Sequence, residues 1–283
     1  MTSTLDTAHL QEWIGREEVA VDHLTPALAE RFHATLSLPG EAPRDGEVAP
    51  RLIHFCLCQP VAPMDALGED GHPARGGFLP PVPLPRRMWA GSDIAFSGEL
   101  LVGDVVTRRS VVSEVTAKEG RTGALCFVTV DHEISGSAGI VAQDRQTIVY
   151  RALDAASPAR EPEPAATGAS TVAVSPTAPL LFRYSALTFN GHRIHYDHPY
   201  ATSVEKYPGL VVHGPLQATM LLHLAATLGG KGAPDRFSFR STSTLFDTEG
   251  FFLHAGHVAD GELRLWTARS GGPVAMQAQA FWS

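Results

Sequence analysis

Two runs of apolar residues recur at helical spacing along the chain. In the first, Leu28, Phe32 and Leu36 share one face of a helix predicted over residues 26–36. Thr25 is placed to cap it, and Pro26 takes the first helical position, where a missing N–H costs nothing. In the second, Leu216, Met220, Leu221, Leu224 and Leu228 mark a helix over residues 215–228, stopped by Gly229 and Gly230. Strand-like stretches follow each helix: 93–96, 105–115, 125–134 and 146–150, then 236–240, 251–258, 262–268 and 274–282. Turns such as Ala259-Asp260-Gly261 and Ser270-Gly271-Gly272 favour antiparallel hairpins over parallel crossovers. The pattern predicts an α+β protein in which a helix is wrapped by an antiparallel sheet, twice over.

Between the two patterns, residues 154–179 are rich in Pro and Ala and almost free of large apolar side chains. That composition predicts a semi-extended linker. It divides the chain into residues 1–153, a linker over 154–179, and residues 180–283. The 283 residues are 44% apolar and 18% charged, enough to bury a full core, and the net charge of −8 argues against a nucleic-acid-binding surface. No basic start followed by an apolar run opens the chain, and the apolar run 216–228 is interrupted by His223 and too short to span a bilayer. Cys56, Cys58 and Cys126 fit neither a zinc motif nor a disulfide framework, so reduced thiols and a cytoplasmic location are expected.

Residues 76–85 carry four prolines and lead into Arg86, Arg87 and Trp89. A chain so fixed makes either a rigid surface loop or the wall of a ligand site, with Arg86 and Arg87 facing an anion. Five histidines fall between His192 and His223. His192, His195 and His198 are spaced by three, but Pro199 disfavours a helix there and no cysteine lies nearby, so no metal is expected. No G-x-G-x-x-G, P-loop, G-x-S-x-G or H-E-x-x-H is present.

Residues 185–197 read Ser-Ala-Leu-Thr-Phe-Asn-Gly-His-Arg-Ile-His-Tyr-Asp. This segment resembles the water-activating motif of the MaoC-like, R-specific enoyl-CoA hydratases. It is closer still to a subgroup holding the 3-hydroxyacyl-thioester dehydratases and the mesaconyl-C4-CoA and itaconyl-CoA hydratases. Residues 207–216, with His213-Gly214 before the second helix, resemble a further family signature. Residues 78–81, 85–91 and 101–104 resemble the degenerate first half of such proteins. The resemblance implies a double hot-dog fold, an acyl-CoA substrate whose coenzyme A serves as no separate cofactor, and a homodimer. The first half would be degenerate and the second catalytic.

Hydrating a conjugated thioester requires a base for the attacking water, a proton for the α-carbon and donors for the thioester oxygen. His195 can do the proton work. Asn190, where the family has Asp, can hold water but cannot take its proton, so the burden falls on His195 and syn addition is expected. Gly214, just before a helix, is either the oxyanion donor or merely a helix start. Arg193 is either a reader of a substrate carboxylate or a surface arginine. His192 is a second acid or a structural group, Asp197 a support for the loop, and Trp89 joins Arg86 and Arg87 among the substrate-binding candidates. The function implied is reversible hydration of an α,β-unsaturated acyl-CoA, foremost a C5 dicarboxylic one. A dehydratase for linear chains, a thioesterase and a non-catalytic acyl-CoA-binding subunit are the alternatives.

Overall fold

A computed structural model describes residues 5–120, 123–152, 163–230 and 232–283. The first half comprises α1 (Thr7–Gln11), β1 (Glu17–His23), α2 (Pro26–Leu36), β2 (Arg86–Phe96), β3 (Val105–Gly120), β4 (Gly123–Gly136) and β5 (Gly139–Arg151). The second comprises β6 (Ser170–Val174), α3 (Ala178–Leu187), α4 (Gly214–Leu228), β7 (Arg236–Ser241), β8 (Phe251–Ala255), β9 (Glu262–Arg269) and β10 (Val274–Phe281). Every strand pairing is antiparallel, and the ten strands form one sheet in the order β1-β3-β4-β5-β2-β7-β10-β9-β8-β6. The two halves meet where β2 pairs with β7, from Gly91 opposite Arg240 to Ala95 opposite Arg236. This is the α+β double hot-dog arrangement: two helix-on-sheet units whose sheets fuse edge to edge.

Both predicted helices form. Thr25 Oγ1 accepts from the Leu28 N–H at the start of α2. The α4 helix buries Leu216, Leu221 and Leu222 against β7–β10, in one apolar core with Phe32 of α2. A second cluster, Val112, Val115, Val128, Val130 and Tyr150 with Leu10, Val82 and Leu84, lies on the first half's sheet under α1 and the proline-rich segment.

The Pro/Ala-rich stretch is more structured than its composition predicts. Residues 153–162 lie outside the described residues, but residues 170–174 form the edge strand β6 against β8, and Pro179 opens α3 with Thr177 as its cap. Residues 190–213 then form an irregular loop with a short 3₁₀ turn at Arg193–His195 and a π turn at Tyr200–Val204, delivering the chain to α4. Among the described residues, no helix is long and apolar enough to cross a membrane.

Candidate active site

A cavity of about 1150 Å³ is lined from both halves, by His195, His213 and Gly214 on one side and by Arg87, Trp89 and Tyr150 on the other. His195 sits in the 3₁₀ turn and is only 8% exposed. Its Nδ1 lies 2.8 Å from the Val211 carbonyl oxygen. A carbonyl only accepts, so Nδ1 carries the proton and Nε2 is a bare lone pair. Burial lowers the imidazole to about 4; the Val211 bond opposes that fall and His72 adds to it. Near neutrality the ring is therefore in its base form.

The His195 ring stacks on His213, centroids 3.7 Å apart, and meets His192 edge-on at 5.3 Å. His213 caps α4 and its Nε2 hydrogen-bonds Ser185 Oγ at 2.8 Å. Gly214 is the first residue of α4, so its N–H has no acceptor within the helix. A Cβ at Gly214 would meet Ser241 Oγ at 3.5 Å and Met276 Cε at 3.8 Å, ordinary contacts. The protein's own packing does not demand glycine there.

Asn190 lines the cavity, but its Oδ1 also accepts the His192 N–H at 3.0 Å, and its own N–H donates to Ser185 O at 2.8 Å. The amide thus shapes the loop as an Asx turn while keeping its NH₂ and one lone pair for water.

Two of the arginines do other work than the sequence suggests. Arg193 donates from Nε and Nη2 to Asp197 Oδ2 at 2.9 and 2.8 Å and from Nη1 to the Glu69 carbonyl at 3.0 Å, and it lies over the Tyr200 ring. Arg193 lines the cavity, and these bonds hold its guanidinium in the wall as a clamp. Asp197 is the anchor of that clamp, and its other oxygen accepts the Tyr200 N–H. Arg86 pairs with Glu205 through Nε and with the Glu205 carbonyl through Nη2, stacks over Tyr207, and does not line the cavity. Its anion belongs to the protein. Arg87 does line the cavity and makes no ion pair among the described residues; its charge lowers the proton affinity of His72 and His192. Trp89 spends its indole N–H on Gly91 O and Ser92 Oγ and packs against Phe55 and Phe239, so it serves as an apolar wall. The proline-rich segment is a wall too. Phe78, Leu79 and Pro80 face the cavity, and Arg75 bonds the carbonyls of Val82, Leu84 and Pro85 to hold it.

The family model for hydroxyacyl-thioester dehydratase type 2 matches residues 52–247. The chain belongs to that family. It is 46% identical over 253 residues to a mesaconyl-C(4)-CoA hydratase of Chloroflexus aurantiacus, an alignment covering 89% of this chain and 90% of that protein. It is 27% identical to the mitochondrial hydroxyacyl-thioester dehydratase type 2 of Schizosaccharomyces pombe, covering 81% and 86%. Among solved structures, a MaoC-like dehydratase from Phytophthora capsici superposes with a TM-score of 0.69 at 14% identity, over 98% of this chain and 99% of that one. A Mycobacterium tuberculosis protein described as a double hot-dog superposes with a TM-score of 0.55 at 14% identity, over 95% and 96%. At those identities the structural likeness speaks for the fold alone. Membership makes the protein a hydro-lyase of the enoyl-thioester hydratase and dehydratase type.

Within this member of the family, the first half contributes residues to the site that nothing in the sequence singles out. A tight turn over residues 68–72 places Asp70 and His72 beside His192. His72 Nδ1 is 2.9 Å from Asp70 Oδ2, and the His72 and His192 rings are 4.1 Å apart. The turn is docked by backbone. Arg193 N–H donates to Asp70 O at 2.9 Å, and Gly71, at φ +86°, comes so close to Gly191 that a Cβ would stand 2.0 Å from its carbonyl oxygen. Asp70, His72 and His192 each offer a ligand atom within 4.8 Å of the others, and among the described residues they are the group able to hold a metal ion. The His72–Asp70 hydrogen bond already satisfies that geometry without a cation. His213 and Ser185 had a signal in the His-Gly pair and at the head of the 185–197 segment; Asp70 and His72 had none.

Proposed function

We propose that this hydro-lyase adds water reversibly to a branched C5 dicarboxylic enoyl-CoA of the mesaconyl-C4-CoA or itaconyl-CoA kind, with His195 as the base. The observation that carries the chemistry is the bare Nε2 of a buried, neutral His195, held by Val211 in a cavity that also receives the N-terminus of α4. Water placed by Asn190 gives its proton to Nε2 as its oxygen bonds to the β-carbon. The π electrons move to the thioester oxygen, where the Gly214 N–H and the α4 dipole meet the developing charge. A proton then returns to the α-carbon and the thioester carbonyl re-forms. The C5 dicarboxylic assignment is supported by the 46% identity to the Chloroflexus aurantiacus hydratase.

A panel of mesaconyl-C4-CoA, itaconyl-CoA, crotonyl-CoA and a medium-chain 2-enoyl-CoA, followed by loss of conjugated absorbance, tests this. The expected result is fastest turnover of a dicarboxylic member with no free thiol. Turnover of crotonyl-CoA with failure of both dicarboxylic substrates overturns the assignment. Release of thiol would mark a thioesterase. A second reading, dehydration of linear 3-hydroxyacyl thioesters, is favoured by the cavity's extent and by its apolar walls at Phe55, Trp89, Val130 and Ile148. In the panel it would show as preference for the medium chain.

Because Arg193 is a clamp, Arg193→Met should slow every substrate in the panel by a similar factor, about tenfold for the loss of a charge-assisted bond. A loss confined to dicarboxylic substrates would restore Arg193 as the carboxylate reader.

A further inference from the structure

The base has no counter-charge on its own loop. When His195 takes water's proton it becomes a buried imidazolium whose Nδ1 donates to a neutral carbonyl. Such a charge is costly without an anion to face it. Asn190, five residues before, is an uncharged amide. His213, stacked on one face, and His192, at the edge, are themselves imidazoles kept neutral by burial. Asp197 is taken by Arg193. The next carboxylate inward is Asp70, reached through the rings of His192 and His72.

We propose that Asp70, carried by the first half and held in place by His72, supplies the negative charge missing from position 190 and stabilises the imidazolium that forms on His195 as water attacks. This rests on the hydration mechanism above. The step stays balanced. The water O–H breaks toward His195 Nε2, the C–O bond forms at the β-carbon and the electron pair rests on the thioester oxygen. The proton then leaves for the α-carbon with no net change in the protein. Asp70 and His72 act through His192 and are positioning residues.

The geometry fits this role. Burial works against a charge on Asp70, but hydrogen bonds from the His72 ring and backbone N–H outweigh it and keep the carboxyl ionised. The other charged groups facing His72 are Arg87 and Arg75, both cations, so Asp70 is also what offsets them. The docking of Gly71 on Gly191 and of Asp70 O on the Arg193 N–H fixes the pair against the loop that holds the base. An incidental surface turn would need no such approach.

Asp70→Asn keeps the shape and an oxygen for the His72 backbone N–H while removing the charge; its NH₂ then faces the His72 ring nitrogen. In the full chain, assayed on whichever panel substrate the wild type turns over, it should lower kcat by about 30-fold with KM nearly unchanged. Adding Asn190→Asp should then recover about tenfold, by returning a carboxylate to the base's own loop. Circular dichroism melts establish that the variants are folded; if Asp70→Asn is not, Asp70→Ser, which also removes the charge and leaves a hydroxyl oxygen for the His72 backbone N–H, is read the same way. Wild-type kcat in Asp70→Asn overturns the proposal, as does a loss that Asn190→Asp does not repair. A wild-type rate lost to a chelator and restored by zinc or manganese would make Asp70, His72 and His192 a metal site and overturn it too. A wild type inactive on the whole panel would instead be a failure of the substrate assignment.

Discussion

His195→Asn should lower kcat by about 10³-fold, within the range general-base groups contribute, while leaving KM and the melting temperature close to the wild-type values. Asparagine is the informative replacement because its amide nitrogen falls near the position of Nδ1. It can still donate to the Val211 carbonyl, now 2.8 Å from the ring, so the 3₁₀ turn keeps its anchor. What disappears is Nε2, the one atom of this side chain that can accept water's proton. Alanine would be ambiguous, because it would also leave the Val211 carbonyl unpaired in a buried site and His213 without its stacking partner at 3.7 Å. The measurement is initial rate against substrate concentration on the preferred enoyl-CoA. A variant retaining a tenth or more of the wild-type kcat would remove His195 as the base. A variant that loses affinity and rate together would make it a binding residue.

The parts of this site that a sequence could reveal are those where one residue's role follows from its neighbours in the chain. Residues 185–197 and the pair His213-Gly214 are of that kind, since the turn that presents His195 and the helix that starts at Gly214 are local structures. Arg193 was open to a second reading because all its partners had to be known. Asp197 lies four residues on, but the Glu69 carbonyl comes from the other half of the chain. Asp70 and His72 were invisible for the same reason, lying in an irregular stretch with no periodicity to fix where it docks. In the fold, α2 and α4 announced themselves by caps and spacing. β1 did not, because its Val19 and Val21 point outward on an edge strand, 57% and 62% exposed, and so imitate a polar-faced loop. α3 was hidden because its Thr177 cap and Pro179 close a proline-rich run, although the same Thr-then-Pro signal was legible at Thr25 and Pro26.

The same burial that keeps the base neutral should make the whole protein sensitive to mild acid. Desolvation, chiefly, lowers His54 and His132 to about 3 and His195 and His223 to about 4. In the unfolded chain each would titrate near 6.5. A group depressed in this way contributes full stability above 6.5, where neither state binds the proton. That contribution is lost as pH falls toward the folded value, because the unfolded state is protonated first. Each costs about 1.4 kcal/mol per pH unit across that window. Asp144 runs the other way: burial raises it to about 7, so between 7 and its unfolded value near 3.8 the folded state binds the extra proton and gains. Asp144 offsets one of the several lowered histidines, so the balance is a loss of a few kcal/mol per pH unit below pH 6, against a total stability of about 5–15 kcal/mol. Tryptophan fluorescence and calorimetry should therefore show the melting temperature falling steeply from pH 6.5, with cooperative unfolding at 25 °C before pH 4.5. Because His195 itself does not take a proton until about 4, the acidic edge of activity should coincide with this unfolding and not with titration of the base. A melting temperature that stays level from pH 7 to 5 would mean that these imidazoles are not held neutral by the fold. An activity that falls near pH 6.5 in a fully folded protein would mean that His195 titrates like a solvated histidine.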